Sequence, residues 1–123
     1  MARVLVVDDE EQYLRHLSSY LTRQGHEVET ARDSDSALRQ GQSFDPHVLI
    51  VDWRLGDDLP GIEVARSLRR GAPGLKTIVM SGYPEELVRQ SLRDDEISCL
   101  LEKPMFTLRE AAAAVEAALQ PDK

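Results

Sequence analysis

Short apolar runs at residues 4–7, 48–51, 77–80 and 97–101 recur at fairly regular spacing along the 123-residue chain, rich in β-branched side chains. Their length suits strands covered on both faces, and that requirement constrains the fold more than any other feature. A strand buried on both sides needs a layer above it and another below. Residues 27–31, Glu-Val-Glu-Thr-Ala, alternate polar with less polar side chains instead, the pattern of a sheet edge with one wetter face. Helical patterns fill the intervals. Leu14, Leu17 and Leu21 share one face, with Arg15, Ser18 and Arg23 off it, and Gly25 stops that helix. Ser34 is the expected cap of a second helix carrying Ala37 and Leu38. Residues 62–70 carry Val64, Ala65 and Leu68, a short polar helix follows Pro84, and Leu108, Ala111, Ala112, Val115 and Leu119 make the last amphipathic helix. Strand and helix thus alternate about five times through short connections, which calls for right-handed crossovers and a parallel sheet with helices on both faces.

Composition supports one ordinary folded domain over 1–123: 41% hydrophobic and 30% charged residues exclude disordered and collagen-like classes. The net charge of −7 opposes direct contact with nucleic acid. No apolar stretch approaches the roughly 20 residues that span a bilayer, and the first strand runs into Asp8, Asp9, Glu10 and Glu11, so neither membrane segment nor signal peptide is expected. Cys99 is alone and cannot form an internal disulfide, which makes the cytoplasm the expected compartment. His16, His26 and His47 lack metal-ligand spacing, and Cys99 reads as a buried inert thiol. Trp53 reads as loop packing, and Arg66, Arg69 and Arg70 as a solvated basic face.

In a doubly wound sheet the reactive crevice lies beyond the carboxyl ends of the strands. The residues there are Asp8 and Asp9, Asp52, Ser81 and Lys103. Asp8 and Asp9 alone could serve a helix N-terminus, but Asp52 closes an apolar run where burial disfavours a carboxylate. Clustered carboxylates repel unless a cation neutralises them, and Mg²⁺ takes this kind of oxygen donor set.

The motifs Val6-Val7-Asp8-Asp9-Glu10, Leu49-Ile50-Val51-Asp52-Trp53, Met80-Ser81-Gly82-Tyr83 and Glu102-Lys103-Pro104 stand in one order and spacing. By them the chain resembles the receiver domain of two-component response regulators over essentially its whole length. The resemblance implies a flavodoxin-like five-stranded parallel sheet of order 2-1-3-4-5. It implies that Asp52 accepts a phosphoryl group from a sensor histidine kinase or histidine phosphotransfer protein. Mg²⁺ is then held by Asp9 directly, Asp8 through water, Asp52 and the backbone carbonyl of Arg54. Ser81 and Lys103 hold the phosphoryl oxygens, and the Lys103-Pro104 bond is expected to be cis. A carboxylate is a recognised nucleophile toward phosphorus, and phosphoryl transfer asks mainly for positioning and charge neutralisation.

Two departures from the family stand out. The loop from Asp52 to Gly61 is one residue longer than the usual pattern, and Leu100 occupies the position three before Lys103, usually Tyr or Phe. Leu100 cannot report the change as a ring would, so the expected readout runs through Gly82, Tyr83 and the segment to residue 92. Bulky Arg54 and Tyr83 flank the path of attacking water, so slow dephosphorylation is expected. The chain is expected to be no enzyme beyond promoting its own phosphorylation and dephosphorylation. A monomer or weak homodimer with an unknown downstream target is expected, and no output domain is visible. Three rival functions compete with this one. A flavin domain conflicts with the acids after the first strand, and an aspartyl phosphatase lacks its second acid because Arg54 holds that position. The third is a receiver-like scaffold that binds proteins without taking phosphate.

Overall fold

In the computed structural model, which describes residues 1–56, 59–93 and 95–121, five parallel strands form one sheet in the order β2-β1-β3-β4-β5. They are β1 (Arg3–Val7), β2 (Glu27–Ala31), β3 (Val48–Asp52), β4 (Lys76–Ser81) and β5 (Cys99–Glu102). The helices are α1 (Glu11–Arg23), α2 (Ser34–Phe44), α3 (Gly61–Gly71), α4 (Glu85–Gln90) and α5 (Leu108–Leu119). Strand order reverses between β1 and β3, which puts a crevice beyond Val7 and Asp52.

Alternate residues of each strand face opposite layers. Val4, Val6, Val48, Ile50, Ile78 and Met80 pack under α1 and α5, against Leu14, Leu17, Leu21, Ala111 and Val115. Leu5, Val7, Leu49, Val51 and Val79 pack under α2 and α3, against Ala37, Ile62, Val64, Ala65 and Leu68. Every residue of β3 is buried, as a central strand requires, whereas β2 begins exposed.

Local chemistry sets the helix ends. Gly25, at φ 96°, follows α1 in the left-handed region that other residues enter at a cost. Thr107 and Glu110 form a reciprocal capping box at the start of α5. The cap of α2 is Asp33, not Ser34: Asp33 is extended and its carboxylate accepts the Ser36 N–H at 2.8 Å, while Ser34 is already helical and buried. β5 begins at Cys99 rather than at Ile97, since pairing with β4 starts at Ile78–Cys99. The apolar character of Ile97 serves packing against the α2–α3 layer, from the loop before the strand. Asp57 and Asp58 of the lengthened loop lie outside the described residues.

Candidate functional site

Asp52 ends β3 at the crevice, with most of its side chain covered. Its position depends on Gly61, the first residue of α3. A Cβ built there meets the Asp52 carbonyl oxygen at 1.9 Å, and the Gly61 N–H donates to the Trp53 carbonyl at 3.0 Å. Only glycine allows α3 to start so close behind the Asp52 backbone. Asp8 follows β1, fully buried, its N–H bonded to the Ala31 carbonyl at 3.1 Å and its Oδ1 accepting the Glu10 N–H at 2.9 Å. Asp9 and Glu10 are exposed at the rim. Ligand oxygens of Asp8, Asp9, Glu10 and Asp52 all lie within 4.8 Å of one another.

Lys103 follows β5, its N–H donating to the Ser81 carbonyl at 2.8 Å, and the Lys103-Pro104 bond is cis. Its ammonium lies 2.8 Å from Asp8, 3.1 Å from Glu10 and 3.2 Å from Asp52. One positive charge thus faces three carboxylates. Burial, then the neighbouring charge of Asp8, raises the Asp52 carboxyl to about 6 despite Lys103. Burial raises Asp8 as well. Burial opposes the charge on Lys103, but hydrogen bonding to Asp8 and the Asp8 and Asp52 charges outweigh it and hold the ammonium above its ordinary value. The donor set is all oxygen, hard and under-neutralised, which fits Mg²⁺.

Ser81 is buried at the end of β4, and its Oγ accepts the Tyr83 N–H at 2.9 Å. A hydroxyl that accepts keeps its own proton to donate. Arg54 donates to the Tyr83 hydroxyl at 2.5 Å and sits 5.8 Å over the Tyr83 ring. The two residues expected to flank the water path therefore join each other across the β3–α3 and β4–α4 loops. Leu100 is half-buried against the α2–α3 layer, and Trp53 packs there too.

Other features were not legible as site or scaffold. Glu10 stood in the acidic motif without a role, yet it contacts Lys103. Tyr13 places its ring 4.2 Å from the Lys103 ammonium and stacks on Phe106, with ring centroids 6.0 Å apart. The available signal was an aromatic residue one turn past the acidic motif, beside Leu14 and Leu17. The basic face of α3 is not simply solvated. Arg66 grips the buried Glu96 through both carboxylate oxygens, reaches Glu63 at 2.7 Å and donates to the Ser91 carbonyl at 3.0 Å. A buried carboxylate in the loop before β5 requires such a partner. Cys99 is only half-buried, with burial raising its thiol. His26 and His47 are structural, their Nδ1 atoms accepting the Ala2 and Arg3 N–H groups at 3.1 and 2.9 Å.

The fold and its acidic crevice define a class in which a parallel doubly wound sheet presents carboxylates and a lysine at its strand ends. The family model of the response regulator receiver domain matches residues 4–116, and the chain belongs to that family, the receivers of two-component systems. It is 32% identical over 118 residues to the alkaline phosphatase synthesis transcriptional regulatory protein PhoP of Bacillus subtilis, covering 96% of this chain and 48% of that protein. It is 36% identical over 120 residues to the transcriptional regulatory protein KdpE of Mycobacterium tuberculosis, covering 98% and 52%. The chain thus spans about half the length of these relatives. Among solved structures it resembles a receiver domain protein from Clostridium thermocellum, with TM-score 0.86, 26% identity and coverage of 97% and 94%. It also resembles the response regulator TrrA of Thermotoga maritima in complex with Mg²⁺ and BeF, with TM-score 0.82, 28% identity and coverage of 97% and 100%. No described helix is long and apolar enough to cross a membrane.

Proposed function

We propose that Asp52 accepts a phosphoryl group in a Mg²⁺-dependent reaction, from a histidine kinase or a histidine phosphotransfer protein in the cytoplasm, and that this changes the surface offered to a downstream protein. The observation that carries the reading is the meeting of four carboxylates, their ligand atoms within 4.8 Å, with the Lys103 ammonium 3.2 Å from Asp52.

Asp8, Asp9, Asp52 and the Arg54 backbone carbonyl would hold Mg²⁺, which would neutralise charge on the carboxylates and on the phosphoryl oxygens. An Asp52 oxygen forms the bond to phosphorus as the bond from phosphorus to the donor breaks, leaving an acyl phosphate on the chain and the donor released. Lys103 lies within reach of the charge that this adds. Ser81 donates its hydroxyl proton to a phosphoryl oxygen, a contact made only after transfer. That difference between the two states is what a switch needs. The joined Arg54 and Tyr83 side chains offer no carboxylate or amide to orient an attacking water, so the acyl phosphate persists. The chain acts only on itself and is no enzyme in the wider sense.

Trp53 is the only tryptophan and adjoins Asp52, so its fluorescence reports on the site. Titration with Mg²⁺ should change Trp53 emission in the wild type, and the change should weaken strongly in Asp9→Asn. Identical titrations for the two proteins would contradict the assigned metal site.

A further inference from the structure

We propose that Tyr13, braced by Phe106, is a positioning residue for the Lys103 ammonium, a role that rests on phosphoryl acceptance at Asp52. A lysine carries its charge on a flexible four-carbon stem, so something must fix where the ammonium points. Three of the contacts that do so here are carboxylates: Asp8, Glu10 and Asp52. These are the groups whose charge is redistributed when a cation and a phosphoryl group enter. Asp52 would become an acyl phosphate, and Asp8 would help to hold the metal. Glu10, 3.1 Å from the ammonium, is half-exposed at the rim.

The Tyr13 ring face, 4.2 Å from the same nitrogen, is a contact that none of this chemistry alters. Its attraction comes from the ring quadrupole and needs no counter-charge. The ring is itself held. Tyr13 packs against the α1–α5 layer and stacks on Phe106 at an interplanar angle of 27°. The Phe106 N–H is fixed to the Glu102 carbonyl at 2.8 Å, in the same turn that carries Lys103. The Tyr13 N–H is fixed to the Glu10 carbonyl at 3.1 Å. Lys103 and its aromatic wall are therefore anchored at both ends.

The test measures the rate of phosphoryl incorporation from acetyl phosphate with Mg²⁺ for wild type, Tyr13→Phe, Tyr13→Leu and Phe106→Leu, over a range of donor concentrations. Circular dichroism and Trp53 titration with Mg²⁺ on each variant separate loss of fold or of metal from loss of positioning. Tyr13→Phe keeps the ring and should stay within about twofold of wild type, while Tyr13→Leu should lower the limiting rate about three- to tenfold. Mg²⁺ binding should be unchanged, and Phe106→Leu should fall between the two. A Tyr13→Leu protein as fast as wild type, or a Tyr13→Phe protein as slow as Tyr13→Leu, overturns the positioning role while leaving Asp52 as acceptor. If Tyr13→Leu does not fold, Phe106→Leu decides: a wild-type limiting rate there overturns the role. A wild type that takes no phosphoryl group overturns both.

Discussion

Asp52 is a carboxylate placed where its own ionisation is unfavourable. Its folded value, about 6, stands above the ordinary 3.8, because burial and Asp8 together outweigh Lys103. A raised acid binds its proton more tightly folded than unfolded, so the metal-free protein loses stability as pH rises from 3.8 to about 6 and stays penalised above. Asp52→Asn should therefore raise thermal stability in chelator at pH 7, by about 3 kcal/mol, with no gain below pH 4. A variant less stable than wild type at pH 7 would mean that Asp52 is held mainly by Lys103. A second residue-scale prediction concerns Arg54 and Tyr83. Replacing both with Asn should speed loss of phosphate about tenfold or more, since an amide can orient water where these side chains cover the path. Decay that is unchanged or slower would contradict the shielding. The acids and Lys103 could be found in the sequence because strand ends are where a doubly wound sheet places chemistry. Tyr13 could not, because its meeting with Lys103 is made by the packing of α1 beside α5 and leaves no local pattern.

Among the elements, α4 is the most lightly anchored. It is short, and Val88 is its only buried residue. Its two ends differ, however. The end at Ser91 is tied through Arg66 to Glu96 and α3, whereas the start is tied through the Tyr83 N–H to Ser81 at the site. The sequence alone suggested movement of the whole 83–92 segment. The Arg66 contacts confine it: phosphorylation should change hydrogen exchange over residues 82–88 more than over 91–98 or β5. Changes centred on β5 would reject this route. The Arg66–Glu96 pair also carries its own test. Hydrogen bonding to Arg66 lowers the Glu96 carboxyl from 4.5 to about 2, so its contribution is full above pH 4.5 and is lost as pH falls toward 2. Glu96→Gln should cost about 2 kcal/mol at pH 7, and the difference from wild type should shrink across that window. A constant difference from pH 7 to pH 2 would show that the ion pair does not stabilise the fold. The pair was illegible because α3 and the loop before β5 are far apart in sequence, and three arginines on one helix look like a solvated face until a buried acid is found opposite them.

At the scale of the molecule, two covered faces and short connections made the layered parallel sheet and the edge position of β2 readable from hydrophobic periodicity, while the strand order came from the family resemblance. What escaped were boundaries decided by single hydrogen bonds, as at Asp33, or by packing without pairing, as at Ile97. The net charge of −7 includes the carboxylates gathered at one end of the sheet, and the single charge of Lys103 does not balance the three it contacts. On the proposed function, the fold would gain from a cation and would accept more charge only with one. The most direct test is intact mass after incubation with acetyl phosphate. The wild type with Mg²⁺ should gain one phosphoryl group, and Asp52→Asn, or wild type in excess chelator, should gain none. Equal incorporation in Asp52→Asn, or incorporation that ignores the chelator, would contradict the assignment of Asp52 as a Mg²⁺-dependent phosphoacceptor.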